Sequence, residues 1–344
     1  MNTKVDTTAD DELPKKRLDL LPLFLLPLIG LAAIPLIGDF PTWVTLTIAG
    51  LGMGMIIFLA ASGFSLVFGL MDVLNFGHGM FITLGAYMGS VVLTPTAMPL
   101  VYAWFESSNL ALSLLAVAIA AGVGMLVTAV VGLIFERLII RPVYNMPLAQ
   151  ILVTTGGLIV ADQLIIALWG PDPQTLTKPS TLAGAIVIGG GVIEKYRLMT
   201  LVVGVVVFGL MQWVLVFTRA GLLIRAAVQD REMVEALGYR VKYLFIAVFA
   251  VGAALAALGG TFWGMYQDSI SSTLGAQLMI SIFIVLIIGG MGSITGTFIG
   301  ALMVGLTTNY VAFSIPMMTA FSTILLMCAV ILWRPNGLYP VVKR

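Results

Sequence analysis

Residues 43–70 read W-V-T-L-T-I-A-G-L-G-M-G-M-I-I-F-L-A-A-S-G-F-S-L-V-F-G-L, without one charged side chain. A helix needs about 20 consecutive apolar residues to cross a hydrocarbon core, and this stretch exceeds that length. Comparable windows lie near Leu20–Gly38, Leu74–Leu93, Ala111–Phe135, Leu148–Trp169, Leu198–Phe217, Tyr243–Tyr266, Ile270–Gly289, Gly296–Phe313 and Met317–Trp333. Apolar residues make up 60% of the chain and charged ones only 10%. That balance excludes a soluble core. The expected fold is all-α: a polytopic transmembrane helical bundle of about ten spans. The eighth is the weakest, because Gly289–Gly290–Met291–Gly292 could break it or make it re-entrant.

Basic residues set the orientation. With alternating spans and a cytoplasmic N-terminus, the cytoplasmic side holds four groups of lysine and arginine. These are Lys4, Lys15, Lys16 and Arg17; Arg137 and Arg141; Arg219, Arg225, Arg231, Arg240 and Lys242; and Arg334, Lys343 and Arg344. Of 17 basic residues, only Lys178, Lys195 and Arg197 fall outside. Short cytoplasmic loops carry such an excess, so both termini are expected to be cytoplasmic. Residues 1–19 form a polar cytoplasmic tail rather than a signal peptide, since acidic Asp10, Asp11 and Glu12 sit beside the bases and no cleavage site follows. Residues 20–344 then form one membrane domain.

Several chemistries are excluded by what the chain lacks. Cys328 is the single cysteine and His78 the single histidine, so neither an internal disulfide nor a two-histidine metal site is possible. No G-x-x-x-x-G-K-[ST] phosphate loop occurs, which leaves no cofactor on this chain. No basic run suggests nucleic acid. An enzyme would lack ligands and a nucleophile.

The cytoplasmic connection at residues 219–242, R-A-G-L-L-I-R-A-A-V-Q-D-R-E-M-V-E-A-L-G-Y-R-V-K, does not read as a loop. Leu222, Leu223, Ala226, Ala227, Met233, Val234 and Leu237 recur near a 3.6-residue period. Arg225, Asp230, Arg231, Glu232 and Glu235 take the other face, and Gly238 stops the pattern. One or two short amphipathic helices are expected. A passive helix in the lipid interface would carry a mainly basic polar face; mixed charge suits docking on another protein, with an interfacial spacer as the alternative.

Polar groups inside spans face a bundle interior or a wet cavity. Asp72, Asn75 and His78 open the third span, with Asn75 and His78 three residues apart on one expected helical face, and Gly77, Gly79, Gly85 and Gly89 thin the same helix. Two readings stand: a gate or path lining, and interhelical hydrogen bonds that lock packing. Thr154, Thr155, Gly156 and Gly157 suggest a polar break in the fifth span, followed by Asp162 and Gln163. An interrupted helix offers weak, multiple partners for a zwitterion; Asp162 could instead pair near the outer surface. Gly292, Gly296 and Gly300 are spaced as a close-packing seam, within the chain or at a subunit interface. Residues 170–197 form the largest external segment and the natural landing surface for a binding protein, with a small hairpin expected where A-G-A-I-V-I-G-G-G-V-I sets alternating apolar residues around glycine.

Particular motifs resemble a known family. The segment R-A-A-V-Q-D-R-E-M-V-E-A-L-G (residues 225–238) is similar to the coupling loop of ABC-importer permeases, with Glu235, Ala236 and Gly238 as a degenerate E-A-A…G pattern. L-N-F-G-H-G-M-F-I-T-L-G-A-Y-M-G (residues 74–89) resembles the N-F-A-H-G…L-G-A-Y signature of inner-membrane permeases for branched-chain amino acids, with Gly77 where alanine is common. The likeness continues through E-R-L-I-I-R-P (residues 136–142), I-I-G-G-M-G-S-I-T-G-T-F-I-G-A (residues 287–301) and R-P-N-G-L (residues 334–338), and fits the first permease type of a heterodimeric pair.

The resemblance implies a permease in the bacterial inner membrane, working with a second permease subunit, two cytoplasmic ATPases that use the ATP, and a periplasmic substrate-binding protein. The implied cargo is leucine, isoleucine, valine or a similar neutral aliphatic amino acid. Relatives of this type also carry urea, short amides or aromatic acids. By the same resemblance, Arg225, Asp230, Glu232, Glu235 and Gly238 belong to the ATPase-coupling element. The rival class is a stand-alone secondary carrier, for which Asp162 is the principal buried carboxylate.

Overall fold

A computed structural model describes residues 21–144 and 146–340 of the chain. The polar tail expected at residues 1–19, and the closing Lys343 and Arg344, lie outside the described residues. The described chain is helical apart from one hairpin and its connections. The helices are α1 (Leu25–Ile37), α2 (Phe40–Met71), α3 (His78–Val92), α4 (Pro99–Phe105), α5 (Leu110–Phe135) and α6 (Pro147–Trp169). After strands β1 (Ala185–Ile188) and β2 (Gly191–Glu194) come α7 (Lys195–Phe217), α8 (Arg219–Gln229), α9 (Arg231–Ala236), α10 (Val241–Gln267), α11 (Leu274–Gly289), α12 (Ile294–Ser314) and α13 (Thr319–Trp333).

Each of the ten expected spans has a helix. Seven helices among the described residues are long and apolar enough to cross a membrane. The other three are short: α1, α3 and α11 have 13, 15 and 16 residues. Caps explain several starts, since an N-cap oxygen satisfies an amide that has no partner within the helix. The Asp39 carboxylate accepts from Thr42 N–H, Asn109 from Ala111, Thr218 from Gly221, Asp230 from Met233 and Ser293 from Gly296.

Glycine knits the centre together. α2, α3, α10 and α12 lie backbone to backbone, flanked by α5 and α11. A Cβ at Gly85 would collide with the backbone of Ala257, one at Gly260 with Ile82, and one at Gly63 with Gly252. Lipid tails are as apolar as leucine, so close packing and interhelical hydrogen bonds must hold these helices together. The bonds are present: Thr261 donates to the Gly85 carbonyl at 3.0 Å, Gly275 N–H to Thr83 at 2.9 Å, and Thr297 to Ser65 at 2.9 Å. Each contributes about 1 kcal/mol. α6, α7 and α13 lie outside this core, with broad apolar exposure.

Three expectations are revised. The third span does not begin at Leu74. Asp72 adopts a left-handed conformation (φ 55°) that ends α2, residues 72–77 are non-helical, and α3 starts only at His78. Asn75 and His78 therefore share no helical face. The fifth span has no break at Thr154–Gly157, because α6 runs unbroken from Pro147 to Trp169; the Thr154 hydroxyl donates to the Gln150 carbonyl of its own helix, so the polar run needs no interruption. The glycine series 292, 296 and 300 is not one helical stripe. Gly292 lies in the turn before α12 (φ 82°) against Gly69 of α2, while Gly296 and Gly300 meet α11. That seam lies within the chain rather than between subunits. α11 itself is continuous and ends at Gly290, whose positive φ (96°) glycine adopts without strain.

The expected hairpin is present. β1 pairs antiparallel with β2, Ile186 opposite Ile193 and Val187 opposite Val192. Its two-residue loop, Gly189–Gly190, has φ of 61° and 84°. Positive φ at both positions is what a type I′ turn demands, and glycine supplies it without strain.

Candidate functional site

Two regions carry the candidate chemistry. The first surrounds the start of α3. Phe76 N–H donates to Thr154 Oγ1 at 3.1 Å, which ties the irregular segment after α2 to α6. A Cβ at Gly77 would lie 2.8 Å from the Phe135 ring and 3.0 Å from Asn75 Oδ1. His78 Nε2 lies 3.0 Å from the Ala60 carbonyl. A carbonyl only accepts, so Nε2 carries the proton in this contact. The Phe64 and Phe81 rings stand edge-on to the imidazole. Gly79 faces the Gly275 backbone, 3.0 Å from where its Cβ would be.

The structure therefore gathers Asn75, Gly77, His78 and Thr154, all buried, into one cluster. One atom there is unaccounted for: Asn75 Oδ1 is buried without a hydrogen-bond partner among the described residues. Thr155, Gly156, Asp162 and Gln163 are not part of this cluster. They occupy the outer, more exposed length of α6, and Asp162 lies eight residues, about 12 Å, from Thr154 along the helix. Asp162 Oδ1 is also buried without a partner among the described residues. Nothing lies within 4 Å of a Cβ at Gly156.

The second region is the turn of chain at α8 and α9. Thr218 starts α8, and Asp230 both ends it and caps α9, so a residue expected from the sequence to couple to an ATPase is a structural cap. Ala227, Val234 and Val241 bury together against Leu244 and Phe245, which fixes the pair to the foot of α10. Met233, Leu237, Tyr239 and Tyr243 are more than half exposed. Arg225, Asp230, Glu232, Glu235 and Gly238 are exposed around them. Gly238 has φ 87°, where a side chain would be strained.

A cavity of about 440 Å³ lies between the end of α2, the start of α6 and α8. Gly69, Asp72, Tyr144, Gln150, Ala227 and Phe245 are among its lining residues. Gln150 is a residue that sequence reasoning missed. Its amide donates to the Val143 and Tyr144 carbonyls at 3.0 and 2.6 Å, holding the start of α6 against the chain that leads into it. The signal was present as a lone amide in an apolar run. At this end of the bundle lie Arg137, Arg141, Arg219, Arg225, Arg240, Lys242 and Arg334, whereas Lys178, Lys195 and Arg197 lie at the other, beside the hairpin.

At that opposite end, Lys178 Nζ sits 3.0 Å from both Glu194 and Asp268, and Arg197 pairs with Glu194 at 3.1 Å. Burial lowers the lysine pKa, but hydrogen bonds and Coulomb attraction from Asp268 and Glu194 outweigh it, for a net rise above 10.5. Gln174 and Ile270 exchange backbone hydrogen bonds of 2.9 and 2.8 Å. Residues 170–197 are thus clamped to the turn between α10 and α11.

The sequence profile of the family described as "Branched-chain amino acid transport system / permease component" matches residues 46–332, from within α2 nearly to the end of α13. The chain belongs to that family. This permease is 29% identical over 300 residues to the high-affinity branched-chain amino acid transport system permease protein BraD of Pseudomonas aeruginosa, an alignment covering 84% of this chain and 93% of BraD. It is 27% identical over 301 residues to LivH of Escherichia coli K12, covering 84% and 92%. A probable branched-chain amino acid transport permease protein LivH of Methanocaldococcus jannaschii is 25% identical over 131 residues, 35% of this chain and 41% of that one. No solved structure matches. The permease is a multi-pass membrane protein, and α1 lies ahead of the matched region.

Proposed function

We propose that this permease is one of two membrane subunits through which an ATP-driven importer passes branched-chain amino acids across the bacterial inner membrane. The observation that carries the proposal is the α8–α9 element. It is capped at both joints and rooted on α10, and it presents Met233, Leu237, Tyr239 and Tyr243 among charges of both signs. Apolar anchors inside a mixed polar rim suit a protein partner. With no phosphate loop on this chain, two cytoplasmic ATPases supply the energy through this element, and a periplasmic binding protein delivers the cargo.

The same reading makes all ten apolar helices spans. α3 and α11, though short, are largely buried in the bundle and need not meet lipid along their whole length. The basic end containing α8 is then cytoplasmic, with both termini on that side. Residues 219–241 form the coupling region and 170–197 the periplasmic segment of a membrane domain at 20–344.

Passage requires weak partners for an ammonium, a carboxylate and an aliphatic side chain. α6 offers Thr155, Gly156, Gln163 and the part-buried Asp162, and a cavity of about 470 Å³ lined only by apolar residues, among them Met80, Phe135, Leu164 and Trp169, lies along the same helix. The inner cluster of Asn75, Gly77, His78, Gly79 and Thr154 holds the start of α3 at the cytoplasmic mouth of this route. Affinity purification from the native membrane tests the assignment: a second permease and two ATPases are expected to co-purify. Recovery of a lone chain that transports without ATP would contradict it. Uptake competed by leucine, isoleucine and valine, and not by urea, short amides or aromatic acids, fixes the cargo.

A further inference from the structure

We infer that the β1–β2 hairpin is a lipid-interface anchor, seated in the headgroup region of the membrane leaflet at the end opposite α8. The inference rests on the multi-pass reading and not on the cargo.

Residues 179–193 contain no charged side chain. In the antiparallel pair, opposite residues share a face. Gly191 and Ile193 turn toward the start of α2 and are buried. Val187 and Val192 turn away, 69% and 59% exposed, while Ile186 and Ile188 overhang on the inner face at 43% and 44%. Both faces of the hairpin thus carry exposed aliphatic groups. The clamp described above prevents it from folding them inward: Glu194 is tied to Lys178 and Arg197, and Lys195 N–H donates to the Gly184 carbonyl at 2.9 Å.

Position decides the occupant. The hairpin tip rests on Phe40 and Pro41, the first residues of α2. Phe40, 63% exposed, stacks on Trp43, whose indole donates to the Gly30 carbonyl of α1. Trp169 at the end of α6, and Trp263 and Tyr266 at the end of α10, lie at the same end of the bundle. Amphipathic rings collect at the headgroup level, so this ring of aromatics marks the boundary, and the hairpin apposes it. The apolar surface continues onto the exposed Phe40, whose ring lies against Gly189. A hairpin could not lie deeper, because the outer edge of β1 leaves backbone groups that need water or headgroups. Lys195, partly exposed at the hairpin base, supplies a cation at phosphate depth. The charges at the hairpin base, Glu194, Lys178 and Arg197, pair with one another, so the strands and tip between residues 179 and 193 offer a soluble protein no charged rim of their own.

The test uses the assembled transporter in nanodiscs of phosphatidylethanolamine and phosphatidylglycerol. Val187→Cys and, as a second probe, Val192→Cys are made on a Cys328→Ser background and labelled with an environment-sensitive fluorophore. Asp172→Cys, in the same external segment, is the water-facing reference. Nitroxide carried near the lipid headgroup is expected to quench both hairpin probes at least about twofold more than the reference, and aqueous iodide to quench them less. Iodide quenching equal to the reference, with no effect of nitroxide lipid, would overturn the anchor. So would protection from iodide that develops only when the periplasmic binding protein is added, since that places the hairpin in a protein contact.

Discussion

α3 and α6 are both rich in glycine and hydroxyl residues, yet they live in opposite surroundings. Along α3, Gly79, Gly85 and Gly89 each meet another helix at Gly275, Ala257 and Thr261. Along α6, Gly156 has open space, Asp162 Oδ1 has no hydrogen-bond partner among the described residues, and most of the helix is exposed. The same residue types therefore serve as joints all along the first helix, whereas in the second Gly157 packs on the Phe135 ring, 2.8 Å from where its Cβ would be, and Gly156 beside it faces open space. Glycine that touches backbone fixes geometry. Glycine beside open space leaves room for a partner or a passing solute.

The largest expected effect breaks the joint. Gly85→Leu must displace the Ala257 backbone, an overpacking cost of about 3 kcal/mol or more, and is expected to abolish monodisperse folded protein in size-exclusion chromatography. Gly156→Leu is expected to fold like the parent, within about 0.5 kcal/mol. Equal loss in both would erase the contrast between the helices. A smaller effect concerns the tie between them: Thr154→Val leaves Phe76 N–H without its acceptor, costing about 1–2 kcal/mol in thermal unfolding, whereas Thr154→Ser restores it. Farther along α6, Asp162→Leu is expected to cut proteoliposome uptake severalfold while assembly with the partner subunits stays intact. Lost assembly in step with lost uptake would move Asp162 from the path to packing.

The smallest effect lies in the clamp around Lys178. Lys178→Met is expected to cost less than about 1 kcal/mol, since Glu194 and Asp268 are part-exposed. The lysine pKa is raised in the fold, so its contribution is complete below 10.5 and disappears only as pH climbs through the raised value. The stability difference between the parent and Lys178→Met should therefore be flat through the neutral range and close under strong alkali. A difference that fell between neutral and mildly alkaline pH would argue against the clamp.

Much of this organisation was legible in the sequence. Long uncharged runs gave all ten apolar helices, because a span is defined by composition over many residues, and apolar periodicity gave α8 and α9. What periodicity does not encode is where a helix stops inside an apolar run. Asp72 ends α2 by adopting a left-handed conformation, and the three-residue spacing of Asn75 and His78 looks helical only if that stop is missed. Thr154 and Thr155 read as a break because hydroxyls disfavour helix interiors, yet Thr154 satisfies its hydroxyl on the preceding turn. The partner of each glycine, Gly85 on Ala257 or Gly292 on Gly69, is a tertiary fact that spacing alone cannot supply.

The central claim is that α8–α9 transmits ATPase work to the membrane helices. The most direct test is ATP hydrolysis by the reconstituted complex, stimulated by substrate-loaded binding protein, in Leu237→Glu, Glu235→Arg and Gly238→Pro variants. Leu237 is 69% exposed, so the first substitution should leave the fold untouched. The account predicts about a tenfold or greater loss of stimulation, as expected when a buried interface anchor is lost, with membrane insertion unchanged. Full stimulation in correctly inserted Leu237→Glu and Glu235→Arg permeases would contradict it.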